Sequence, residues 1–384
     1  MSKKPFAVLI VVLLSLFTIL SLSGFSEAHA TVGAGELYTS AEGMALLEVS
    51  TGRVLYQKNM HKKRAPASTT KILTAITVIE NTEELDKVKK IPDAAVGVEG
   101  SSIYLECGEE LSTRDLLYGL MLQSGNDCAE SLAILTSGSK DQFATLMNTT
   151  AKRIGAKNSN FVTPHGLDAP DHYTTAYDLA LISAYALKNP IFSEIAATKK
   201  HSAPWKGRDY NRVIINKNKL LNSFEGCDGV KTGYTKKSGR CLVSSATRDG
   251  MRVVCAVLNC GPMFEDCARL MDASFYEFKM TEILKKGENL ARLTVSDSRK
   301  ESVACGVLKK IEYPLRLGEI PALKFIAETK EHQKAPVPIG MDSGIIKTFL
   351  ANELLFEEKL YTIESAESLT LFDRLKDIAG QWMA

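Results

Sequence analysis

Short strand-like runs stand at both ends of a long helical stretch, and this distribution constrains the fold more than any other feature. Near the start, "GMALLEVSTGRVLYQ" sets two apolar strands around a Ser50-Thr51-Gly52 turn, the pattern of a hairpin. A helix is expected from near Pro66 to about Asn81, since proline suits a first helical turn. Residues 112–154 read as helical almost throughout, with Ser112 and Asp115 spaced as a capping box. A further helix is expected from about Thr175 to Leu187. The period then changes. Val213 to Ile215, Asp228 to Thr232, Cys241 to Ala246 and Arg252 to Leu258 are short apolar or alternating runs. Short links between strands mean antiparallel pairing. A helix near Glu265 to Met280 closes the region. Strands, then helices, then strands predict an α+β domain whose sheet draws on both ends of the segment.

From about Gly287 the texture is that of a small separate β-domain, carried by "ARLTVSDSRKESVACGV" and "IEYPLRLGEIPALKFIAE". In the tail, Leu371, Phe372, Leu375, Ile378, Ala379, Trp382 and Met383 follow helical spacing and make one apolar stripe. A helix packed on the β-domain and an interfacial helix lying on a membrane both fit; the terminal position and the tryptophan point to the second.

The first thirty residues look like an export signal. Lys3 and Lys4 precede an apolar run from Phe6 to Leu22, and Ala28-His29-Ala30 supplies an A-x-A cleavage site. The expected division is a signal over 1–30, a catalytic domain over 31–284, a β-domain over 285–362 and the amphipathic helix over 363–384. A net charge of +2 with no basic tract gives no reason to expect a nucleic-acid partner. The eight cysteines have no C-x-x-C spacing and no H-E-x-x-H is present, so no zinc site is expected; no cofactor is expected either. Most should be small buried hydrophobes, with one or two bridges among them.

The chemistry starts from "ASTTKILTA". Ser68 and Lys71 are three residues apart, so on a helix they share a face. A serine hydroxyl needs a base to take its proton. A lysine serves only when neutral, and burial or a second cation lowers its pKa. Two further stretches complete a set. Ser124-Gly125-Asn126 falls at the junction of two expected helices, and Lys231-Thr232-Gly233 on an expected strand. S-x-x-K, S-D-N and K-T-G in this order form the signature of penicillin-binding proteins and class A β-lactamases, here with glycine at the middle of the second.

The chain therefore resembles the low-molecular-mass penicillin-binding proteins, serine-type D-Ala-D-Ala carboxypeptidases of bacterial cell walls. The likeness extends to "LLEVSTGRVLYQKN", "DLLYGLMLQSGNDCAESLA" and "TPHGLDAPDHYTTAYDLA". It implies a penicillin-binding, β-lactamase-like transpeptidase domain with an antiparallel sheet and a helical cluster, then a small all-β domain and a C-terminal amphipathic helix. Carried over, Ser68 is the nucleophile, Lys71 its general base, and Ser124 a proton relay to the leaving group. Asn126, Lys231, Thr232 and Gly233 bind substrate, and the backbone N–H groups of Ser68 and Tyr234 form the oxyanion hole. No metal takes part. The implied partners are the peptidoglycan stem pentapeptide, β-lactam antibiotics as covalent inhibitors, and a membrane surface. The implied location is the extracytoplasmic side of the envelope.

Two departures matter. Ser-Gly-Asn replaces Ser-Asp-Asn, and no E-x-x-L-N segment is present; both argue against a β-lactamase. Lys217 stands in Asn216-Lys217-Asn218 where the family often has arginine, which keeps the charge without the planar fork. The alternatives are a DD-endopeptidase of the same family and a penicillin-binding sensor without turnover. His165 is read as holding a loop. Asp178 is read as a brace for its helix, with a water-positioning role as the sharper option. Cys227 is read as buried packing, with a place near the site as the sharper option, and "HKKRAP" as a solvated turn.

Overall fold

The computed structural model describes residues 38–383; the expected signal segment lies outside them. Five antiparallel strands form the central sheet. They are β1 (Gly43–Glu48), β2 (Val54–Lys58), β3 (Cys227–Thr235), β4 (Gly239–Arg248) and β5 (Met251–Leu258), in the order β2-β1-β5-β4-β3. Leu46 stands opposite Cys255 across β1 and β5, so the two ends of the segment close one sheet as expected. Strand β1 is buried along its whole length because both faces are covered. Ala45 and Leu47 face the helical cluster, and Met44 and Leu46 face the opposite core.

The helical cluster centres on α1 (Lys71–Glu80), where every residue from Lys71 to Ile79 is buried. Around it lie α2 (Asn126–Ser137) and α3 (Ala176–Leu187), the latter capped by Thr175 Oγ1 accepting the Asp178 amide. Half of the expected capping box forms: Ser112 Oγ accepts the Asp115 N–H at 2.9 Å, and the Asp115 carboxylate takes the Ser112 hydroxyl at 2.6 Å rather than the Ser112 backbone N–H. The other face of the sheet is covered by α4 (Met263–Glu277).

Three expectations change. The helix expected from Pro66 starts as a tight 3-10 turn, Ala67–Thr70, and becomes α-helical only at Lys71. The run at Val213 to Ile215 is not part of the central sheet: Arg212–Ile215 pairs with Lys200–Ala203 as a separate ribbon. Its anchor is Arg212, buried against Glu109 at 2.8 Å, a long-range pairing with no local signal. The helix expected to reach Met280 ends at Glu277, because Phe278–Leu284 is a strand paired with Ile311–Arg316.

Residues beyond Phe278 form an all-β unit. Its six-stranded sheet runs from Leu323–Thr329 at one edge to Gln333–Lys334 at the other, around Leu293, Val303, Cys305, Ile346 and Leu360. Arg53, in the β1–β2 turn, joins the two units. Its guanidinium lies 2.6 Å from Glu319, donates to the Pro314 carbonyl, and sits over the rings of Phe278 and Tyr313. A last helix spans Leu371–Met383. No helix among the described residues is long and apolar enough to cross a membrane.

Candidate active site

The nucleophile turn lies between the helical cluster and the free edge of the sheet. Strand β3 is the last strand, and its outer side packs against Ala67–Thr70. The fit is close. A Cβ on Gly233 would stand 3.0 Å from the Ser68 amide nitrogen and 3.1 Å from that of Thr69. From the other side, a Cβ on Gly166 would run into the Ala67 carbonyl, and Gly166 also has φ of +85°. Two glycines thus hold Ser68 in place, half-buried at the cleft.

Lys71 is fully buried. Its Nζ lies 3.1 Å from Ser68 Oγ, 2.7 Å from Asn126 Oδ1 and 2.8 Å from the His165 carbonyl oxygen. The Asn126 amide is oriented from behind, with Nδ2 donating to the Glu99 carbonyl at 2.6 Å. Burial, and then the charge of Lys231, pushes the Lys71 amine well below the ordinary lysine value. Lys231 on β3 is also buried, and burial followed by the Lys217 charge lowers it to about 7. Three amines therefore converge here, and each disfavours a proton on the next.

Ser124 sits at the helix junction with φ of +66°, a conformation uncommon for a residue with a Cβ. It follows a π-helical turn, Gly119–Gln123, that packs on both α1 and β3. The Lys217 amide donates to the Leu122 carbonyl in that turn at 3.2 Å. Asn216 and Asn218 bond to the Thr198 and Gly229 carbonyls at 3.0 and 2.8 Å, leaving Lys217 as the exposed member of the three.

Other candidates resolve into supports. His165 Nδ1 accepts the Leu167 amide at 3.1 Å, and burial followed by the Lys71 charge lowers its pKa to about 3. The Asp178 carboxylate takes the Asn158 N–H and the Ser159 hydroxyl, both at 2.7 Å, which is the bracing arrangement. Cys227 is half-buried on β3, and His61, Lys62 and Lys63 are exposed. None of the eight cysteines is bonded to another, so the expected one or two bridges are not formed.

Two residues escape the sequence reading. His172 Nδ1 accepts the Val162 amide at 3.0 Å, leaving Nε2 to donate to Thr70 Oγ1 at 3.0 Å. The buried Asp127 accepts the Leu105 amide at 3.1 Å and the Ser102 hydroxyl at 2.5 Å. That fixes the loop that carries the Glu99 carbonyl. Histidine spacing in "PHGLDAPDH" hinted at the first; the second had no local signal. Among the described residues no cluster of metal-ligating side chains forms.

Comparison with known proteins agrees with this geometry. A family model described as D-alanyl-D-alanine carboxypeptidase matches residues 30–261, and one described as penicillin-binding protein 5, C-terminal domain, matches residues 278–368. The D-alanyl-D-alanine carboxypeptidase DacF of Bacillus subtilis is 31% identical over 356 residues, covering 90% of this chain and 91% of the relative. The DacA enzyme of Escherichia coli is 30% identical, covering 95% of this chain and 94% of its own. Penicillin-binding protein 5 from Haemophilus influenzae superposes with a TM-score of 0.74 at 26% identity, covering 88% of this chain and 100% of that one. With sequence, fold and nucleophile geometry in agreement, the chain belongs to the D-alanyl-D-alanine carboxypeptidase family of serine peptidases.

Proposed function

We infer that this protein is a serine-type D-alanyl-D-alanine carboxypeptidase that trims the terminal D-Ala from peptidoglycan stem pentapeptides and is acylated by β-lactams. The observation that carries the reading is the buried Lys71 amine 3.1 Å from Ser68 Oγ. A neutral amine has two N–H bonds and one lone pair. Asn126 Oδ1 and the His165 carbonyl are placed to take the two N–H bonds, which leaves the lone pair for the Ser68 proton. Ser68 Oγ then bonds to the carbonyl carbon between the two D-alanines. The N–H groups of Ser68 and Tyr234 receive the oxyanion, each donor contributing about 3 to 4 kcal/mol.

As the C–N bond breaks, the leaving amine takes a proton through Ser124, helped by Lys231, and D-Ala departs. Water hydrolyses the remaining ester. The substrate's terminal carboxylate is held by Lys231 and Thr232, with Lys217 nearby as a second cation. The peptide lies along β3 as an added edge strand, on the side where Gly233 keeps the nucleophile turn close. A β-lactam opens on Ser68 in the same way and leaves an ester that hydrolyses slowly.

Mass spectrometry of the protein with penicillin tests the reading. The expected result is one adduct on Ser68 that decays with time. Ser68→Ala should form none, and should lower peptide turnover by at least about 10³-fold. Turnover retained in that variant excludes the mechanism.

We also propose that the enzyme works on the outer side of the cytoplasmic membrane, with the catalytic unit over 31–284, the β-unit over 285–362 and the segment 363–384 lying on the membrane. Support comes from the last helix. Asp373 pairs with Arg299, and Arg374 lies 3.3 Å from Asp297, so charged residues of its first turn hold it to the β-unit. Leu371, Phe372, Leu375 and Ile378 are exposed. Deleting residues 365–384 should release the protein from membranes while activity on a soluble peptide persists. A truncated form that still sediments with membranes would place the anchor elsewhere.

A further inference from the structure

One charged side chain beside the base has no role in the mechanism above. Glu130 lies on α2, one helical turn after Asn126, and is 5% exposed. Residues four apart on a helix share a face. Asn126 uses that face to reach Lys71 directly. Glu130 uses it to reach His165, whose carbonyl is the second acceptor for the Lys71 amine: Glu130 Oε1 is 3.4 Å from His165 Nε2. The tautomer of that ring is set from its far side. Nδ1 accepts the Leu167 amide at 3.1 Å, so Nε2 carries the hydrogen, and the Glu130 carboxylate lies at a long 3.4 Å from it. Lys140 Nζ fixes Glu130 in turn, at 3.1 Å from each oxygen.

We propose that Glu130 is a positioning residue for acylation: through the His165 ring it fixes the carbonyl that takes one Lys71 N–H, and so aims the amine's lone pair at Ser68 Oγ. The proposal rests on Lys71 being the base. The amine sits at the end of a flexible stem, and its direction is set only by its acceptors. With the His165 segment loosened, the N–H finds other partners and the lone pair leaves the hydroxyl. A misplacement of about 1 Å at such a point can reduce a rate about 10²-fold.

The charges acting on Lys71 are Lys231 and Lys217, which disfavour its proton, and Cys128 and Asp127, which favour it. Glu130 is not among them; its carboxylate is paired with Lys140, so its effect on the amine runs through the placing of His165.

The experiment measures the second-order rate of acylation by a fluorescent penicillin against pH, for wild type, Glu130→Gln and Glu130→Ala. Glutamine keeps an oxygen for the His165 N–H and loses the charge. Its plateau should stay within a few-fold of wild type. Alanine loses both, and its plateau should fall about 10- to 100-fold. A Glu130→Gln plateau as low as that of Glu130→Ala, or a Glu130→Ala plateau equal to wild type, overturns the proposal. Should Glu130→Ala fail to fold, Glu130→Met, which keeps the bulk and loses the acceptor, is measured in its place. A wild-type protein that is not acylated, or a Ser68→Ala variant that is, would instead sink the assignment of nucleophile and base.

Discussion

At the scale of single residues, the site is built by placing amines where they hold protons poorly. Lys231 shows the consequence for stability. Its folded pKa is lowered to about 7, by burial first and by Lys217 second, whereas an unfolded lysine titrates near about 10.4. Between those values the unfolded chain binds a proton that the folded chain has released, so this group makes stability rise with pH across that window. Lys231→Met removes the titration. The variant should be the more stable form at pH 7, and its advantage should shrink by up to about 1.4 kcal/mol per pH unit as pH rises. Denaturant melts of both proteins at several pH values check this, and a constant difference would exclude it. The cysteines behave oppositely. Burial raises Cys128 and Cys267 well above the ordinary thiol value and Cys241 to about 11. Thiolate is the reactive form. Cys107 is the exposed one, so a maleimide should label it first in the native protein, and the buried six only after unfolding. Early labelling of those six would contradict this packing.

At the scale of elements, catalysis depends on a 3-10 turn clamped between a strand and a loop. Gly166 is the tighter contact, because both its φ of +85° and the Ala67 carbonyl reject a side chain. Gly166→Ala should destabilise the fold by about 3 kcal/mol or more, read as a shift in the unfolding midpoint. Gly233→Ala differs. Its Cβ meets the Ser68 and Thr69 amide nitrogens at 3.0 and 3.1 Å and the Ala67 Cβ at 3.2 Å, with no positive φ to add strain. It should leave the melt nearly unchanged while slowing penicillin acylation about 10-fold or more. Equal loss of stability in both variants would mean that β3 and the loop are not separate supports. The resemblance gave Gly233 the task of letting substrate lie close. The structure adds a neighbour the sequence did not reveal, the nucleophile's own backbone.

At the scale of the whole molecule, Arg53 is the link between the catalytic unit and the β-unit. Removing one partner of a buried pair leaves the other charge unpaired, at a cost of about 3 to 5 kcal/mol. Arg53→Ala should therefore lower overall stability and expose the junction near Phe278 to limited proteolysis, with peptide turnover retained. A protease pattern identical to wild type would show that the strand pairing of Phe278–Leu284 with Ile311–Arg316 suffices alone.

Much of this was legible in local sequence. Hydrophobic period and turn residues identified β1, β2 and α3, the cap at Ser112, and the sheet closing across both ends. Those signals act between residues a few positions apart. The same holds for Ser68 and Lys71, which one turn of chain brings together. Boundaries failed where a distant partner decided them: the ribbon anchored by the Arg212–Glu109 pair, and the strand from Phe278 that ends α4 early. The state of Lys71 was likewise a tertiary matter. Sequence supplied an amine beside a hydroxyl. Only the folded chain removed water from that amine, set the Lys231 charge to act on it, and gave it Asn126 Oδ1 and the His165 carbonyl as acceptors, because desolvation and long-range contacts have no spacing along the chain to read.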